Sequence, residues 1–145
     1  ILIGSFVILL WFACKKEKDD APSLPTPEEL LSKGPWTRYS SLYKDQYMTA
    51  HEEQFTFYPQ CAHDDKFVFY ADKLYAWTQG PQKCPGNNME VIESYTWHYI
   101  DSTKRLRLYV PNALFILYTV HELTDSTLTI EHLYLSNSRI EKFRR

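Results

Sequence analysis

Apolar positions along the chain fall into two arrangements. Ile1 to Ala13 (ILIGSFVILLWFA) form one unbroken run without a charge. From Trp36 onward the apolar residues come in short runs of strand length, separated by turn residues, and no long segment keeps a helical period. Strands are predicted at residues 36–43, 66–70, 73–79, 93–100, 105–110, 113–123, 127–135 and 138–143. QFTFY (54–58) reads as a strand or an extended arm, and Lys44 to His51 is ambiguous. One helix is predicted, PEELLSK, with Thr26 as cap, Pro27 in the first turn and Gly34 as the stop. Eight strands in simple succession predict an all-β fold: an up-and-down antiparallel β-barrel of about eight strands with a short N-terminal helix. Closing such a meander removes its exposed edges. A barrel of that size holds its own side chains or one small ligand.

Composition agrees. At 145 residues the chain suits one domain, and its 16% aromatic content, eleven Tyr and only four Gly favour strands. The formal net charge of −2 argues against a nucleic-acid partner, and the basic clusters Lys104-Arg105 and Lys142 to Arg145 are too small to reverse that.

The apolar run is too short to span a bilayer, which takes about 20 residues, but it has the length of the apolar region of a secretory signal. The lack of an initiator Met predicts that the chain begins inside its gene product. Ala13 is followed at once by Cys14, which resembles a bacterial lipobox, where cleavage precedes a lipid-bearing Cys. Here Leu10 stands one place further upstream than usual, with Trp11 and Phe12 between. Two or more acyl chains hold a protein at a membrane where one does not. Three segments follow: an incomplete signal region (1–13), a lipidated Cys14 with a flexible tether (14–27), and a barrel domain (28–145). The tether opens with a Lys-rich and acidic run and continues with Pro22, Pro25 and Pro27. Its Lys followed by acidic residues resembles the export tag of some surface lipoproteins. The expected address is the envelope of a diderm bacterium, as an outer-membrane lipoprotein on the periplasmic or the outer face, with the membrane as partner through the lipid.

A hairpin turn at Asp72–Lys73 makes partner numbers sum to 145, so that Tyr70 faces Tyr75 and Phe69 faces Ala76. The same sum sets Cys61 opposite Cys84 and predicts a disulfide, formed across the ladder or between arms beyond its end. A reactive thiol or a metal site is the alternative, with His63-Asp64-Asp65 close by, although close ligand pairs such as CxxC or HxxxH are missing. No catalytic motif is found, so no catalytic residue, metal or cofactor is expected.

Several motifs occur in a familiar order. Gly34-Pro35-Trp36 opens the first strand, and CAHDDKFVFYADKLY (61–75) is followed by Cys84. Tyr95-Thr96-Trp97 precedes Leu106-Arg107-Leu108, and YTVHELTDSTL (118–128) forms a late hairpin. Together these resemble the bacterial lipocalin-like domain lipoproteins over residues 30 to 145. The resemblance implies a lipocalin-like barrel in the envelope. Two functions follow as expectations. In the first, the barrel binds a small hydrophobic or amphipathic ligand, with Trp36 closing one end and Trp97 and Tyr118 lining the interior. In the second, the barrel is filled, and a structural or accessory module binds protein or glycan through its surface. Oligomeric state has no signal in the sequence.

Overall fold

The computed structural model describes residues 23–112 and 114–145. The proposed signal region, Cys14 and most of the tether lie outside the described residues. The described chain is mostly β, with a closed eight-stranded antiparallel barrel and one short helix. Helix α1 (Pro27–Ser32) is followed by β1 (Trp36–Lys44), a two-residue β2 (Glu52–Glu53), β3 (Lys66–Phe69), β4 (Leu74–Thr78) and β5 (Val91–Ile100). Then come β6 (Arg105–Tyr109), β7 (Ile116–Leu123), β8 (Thr127–Tyr134) and β9 (Asn137–Arg144). Strands β3 to β9 pair each with the next, β1 pairs β3, and β9 returns to pair β1 and close the wall. β2 only extends the edge of β1.

Inward positions recur with period two, as a strand facing a core requires. They include Phe67 and Phe69 on β3, Trp97 and Tyr99 on β5, Leu106 and Leu108 on β6, and Leu128 and Ile130 on β8, all buried. In β1 a bulge between Arg38 and Ser40 inserts Tyr39 and reverses the parity. Trp36 and Arg38 point inward before it, and Ser41 is fully buried after it.

Two expectations need correction. The β3–β4 partners sum to 144, not 145: Phe69 pairs Tyr75, and Phe67 pairs Trp77. The cause is a three-residue loop, Ala71 to Lys73, in which Lys73 takes a left-handed conformation at φ 73° and donates its N–H to the Tyr70 carbonyl. The slip by one residue places Phe67, Phe69, Tyr75 and Trp77 on one face. Residues 55–57 form a turn of 3-10 helix, not a strand. Glu53 accepts the Phe55 N–H at 2.8 Å, which bends the chain there.

The Cys61–Cys84 disulfide is present, with Cα atoms 5.1 Å apart, and it clips two arms beyond the end of the β3–β4 ladder. The acidic pair next to it is structural. Asp65 accepts from Trp77 Nε1 at 2.9 Å, and Asp64 accepts the Gln82 N–H at 2.8 Å. Gly80 is required beside them, since a Cβ there would meet the Asp64 carbonyl oxygen at 2.4 Å. Replacing both cysteines by serine is expected to cost about 3 kcal/mol for a loop of this size, measured by urea unfolding. A loss under about 1 kcal/mol would show that the Asp64 and Asp65 contacts hold the arms unaided.

Candidate functional site

One end of the barrel is sealed. Trp36 is fully buried and donates its Nε1–H to the Leu31 carbonyl at 3.0 Å, which seats α1 across the opening with Leu31 beneath it. Arg145 lies 3.8 Å from the centre of the Trp36 ring and donates to the Leu30 carbonyl at 2.6 Å. Lys73 reaches from the β3–β4 turn to Glu28 of the helix at 2.6 Å. Trp97 forms the next layer: its Nε1–H bonds the Tyr70 carbonyl at 3.0 Å, and its ring meets Phe69 edge-on at 5.6 Å.

Above this floor the barrel is not filled. A cavity of about 290 Å³ lies among strands β1 and β3 to β9. Phe67, Phe69, Leu106, Leu108, Leu128 and Ile130 supply its apolar wall. Of the three residues expected at a ligand site, Tyr118 lines the cavity, whereas Trp97 packs below it and Trp36 seals the end. The indole that does line it is Trp77, stacked on Phe67 at 5.4 Å.

The polar groups of the cavity are few and placed. Arg38, only 6% exposed, donates from Nη1 to Glu141 Oε1 at 2.7 Å. Its guanidinium lies 4.5 Å from the centre of the Tyr58 ring and 5.2 Å from that of Phe67, so aromatic faces flank the cation. Tyr58 is brought there by the 54–65 arm, where His63 bonds the Tyr58 carbonyl at 3.1 Å and stacks on Phe55. Nε and Nη2 of Arg38 are buried without a partner. Among the described residues they are the only such atoms that belong to a residue lining the cavity.

Burial pushes the Tyr75 and Tyr118 hydroxyls well above the ordinary phenol range, and the carboxylates of Glu141 and Glu93 push the same way. Both stay neutral phenols that donate and accept. Burial lowers His132, with Glu141 opposing, so its imidazole is neutral near pH 7. Arg38 and Arg139 then balance Glu93 and Glu141, and the lining carries no formal net charge. The cavity is an apolar pocket with a few oriented polar groups, which can bind and orient a molecule. Among the described residues, no group of three or more His, Cys, Asp or Glu is placed to hold a metal ion.

A second polar cluster lies on the outer wall. Glu131 accepts from Ser138 at 2.5 Å and pairs with His121 at 2.7 Å, and His51 meets Ser138 at 2.9 Å. The Ser138 bond holds the Glu131 carboxyl below its ordinary value, burial opposes, and His121 adds to the lowering. Folding therefore favours the ionised form. The resulting stability is complete above the ordinary value of 4.5 and is lost as pH falls through the lower folded value. Glu131→Gln is expected to flatten the fall of the urea midpoint below that pH; an unchanged acid limb would assign the loss to other carboxylates.

No protein-family profile matches this chain, and no curated protein matches it. Trp77 belongs to the strand aromatics that the sequence offers as packing or cavity lining, whereas nothing in the sequence marks Arg38 or Glu141 as a site residue. The available signal was parity, since Arg38 shares the inward face of β1 with Trp36, and Glu141 that of β9 with Phe143.

Proposed function

We propose that this protein is a lipocalin-like envelope lipoprotein, tethered through Cys14, whose barrel binds one small amphipathic ligand. The observation that carries the binding is the cavity of about 290 Å³, walled by aliphatic and aromatic residues around a buried Arg38–Glu141 pair. A volume near 300 Å³ is the lower limit of common ligand pockets. At roughly 30 Å³ per water it equals about ten waters, which suits a ligand on the order of ten to fifteen non-hydrogen atoms. The unfilled interior favours ligand binding over a purely structural module. The envelope address rests on the sequence around Cys14 and on the resemblance.

Small molecules extracted from natively purified protein, identified by mass spectrometry, test the reading. A stoichiometric compound of this size is expected, and its addition to stripped protein should quench Trp77 fluorescence. Stripped protein that binds nothing from a panel of compounds of this size would remove the ligand function. Mass spectrometry of membrane-extracted protein tests the anchor: an unmodified Cys14 would remove it.

A further inference from the structure

Among the described residues, most large apolar side chains left in water lie at one end of the barrel. The sealed end holds α1 with the β3–β4, β5–β6 and β7–β8 turns. The β6–β7 and β8–β9 loops lie at the other end. Their tips are neighbours, because the start of β7 pairs with the end of β8 through Tyr118 and His132. Leu114 on one tip is 87% exposed and Leu135 on the other 92%, and Phe115, Leu133 and Tyr134 beside them are exposed as well. Leu135 also takes a left-handed backbone at φ 54°, which suits Asn or Gly and not a bulky side chain. A leucine there gives the fold neither a buried contact nor a relaxed turn.

Charge follows the same boundary. The chain has no acidic residue from Ser102 to His121, and none from His132 to Ile140. Arg107 and Arg139 stand in these stretches, and the Arg107 guanidinium lies 5.1 Å from the centre of the Phe115 ring. Among the described residues, neither arginine has a carboxylate within 4.0 Å. Asp45 and Glu90 belong to other loops.

We propose that the two tips form a membrane-docking surface for an anionic bilayer. Leu114, Phe115 and Leu135 enter the boundary between headgroups and acyl chains, Tyr134 lies among the headgroups, and Arg107 and Arg139 meet lipid phosphates. Hairpin ends project single side chains, which a bilayer takes in without shape complementarity, whereas a protein partner must supply matching pockets. The inference rests on the envelope address proposed above, and on neither the ligand nor the lipid at Cys14. That anchor leaves the orientation within reach: the steps from Cys14 to Pro27 extend to roughly 45 Å at about 3.3–3.6 Å each. An eight-residue strand such as β8 spans only about 26 Å.

The test uses residues 14–145 with Cys14→Ser, which keeps every described residue and carries no lipid. Binding is measured by flotation with vesicles of phosphatidylcholine alone and of phosphatidylcholine with phosphatidylglycerol. The anionic vesicles are expected to bind about tenfold more tightly, as two arginines near an anionic surface require, and added salt should erase the difference. Leu114→Asp/Leu135→Asp should lose about tenfold or more in binding with an unchanged urea midpoint, because both side chains lie in water. Leu135→Asn should weaken binding without lowering the midpoint. No binding to either vesicle, or binding that survives in the double Asp variant, would overturn the inference. Equal binding to both vesicles would also overturn it, since the arginines would then recognise nothing. A dimer in light scattering that the Asp variant loses, with no vesicle binding by the parent chain, would assign the tips to a second copy and overturn the membrane as occupant. The ligand and the anchor are decided separately, by the mass spectra described above.

Discussion

Replacing Glu141 with leucine is expected to destabilise the barrel by about 3–5 kcal/mol, the cost of leaving a buried charge without its counterion. The Arg38 and Glu141 side chains are 6% and 11% exposed, so water cannot replace the lost partner. The aromatic faces around Arg38 would remain, but at about 2 kcal/mol when desolvated they do not cover the loss. Adding Arg38→Met to the Leu variant should then recover most of the stability, because an apolar pair of similar volume needs no compensation. Urea unfolding of wild type, both single variants and the double variant closes the cycle. A double variant as stable as wild type shows that the pair is not there for folding. Simple addition of the two single losses would contradict this account and make the pair an ordinary stabilising contact.

The separation in sequence explains why this pair was hard to read. Arg38 and Glu141 stand 103 residues apart, and only the closure of β9 on β1 brings them together. Alternating runs and short turns were enough for the strand order, because a meander pairs each strand with the next. Parity failed at two places for a backbone reason. Tyr39 is an extra residue in β1, and Lys73 takes a left-handed conformation that turn statistics reserve for glycine. Each changes which residues share a face, so the interior could not be assigned before the bulge and the loop were known. The disulfide survived the slip because its cysteines lie beyond the ladder. Trp36, Trp97 and Tyr118 were rightly placed on strands. The two indoles turn downward into the floor because backbone carbonyls of Leu31 and Tyr70 there accept their N–H groups. Tyr118 sits higher on its strand and faces the space that remains.

The floor itself is the site of the second large effect. Trp36→Ala is expected to cost about 3–5 kcal/mol, as for other fully buried aromatic residues truncated to alanine. More than area is lost. Helix α1 has six residues, too short to be stable by its own hydrogen bonds. A capping box at Thr26 and Glu29 holds its start. Its end is held by Trp36 on the Leu31 carbonyl and by Arg145 on the Leu30 carbonyl. Removing the indole takes away the first bond and the surface on which Arg145 rests. Trp36→Phe separates the two contributions: it keeps most of the ring contact but leaves the buried Leu31 carbonyl unpaired, at about 1–3 kcal/mol. Hydrogen exchange should then show α1 losing protection in Trp36→Phe while the amides of β5 to β8 keep theirs. Equal loss in helix and strands would mean that α1 and the barrel open only together, and that Trp36 serves the global core.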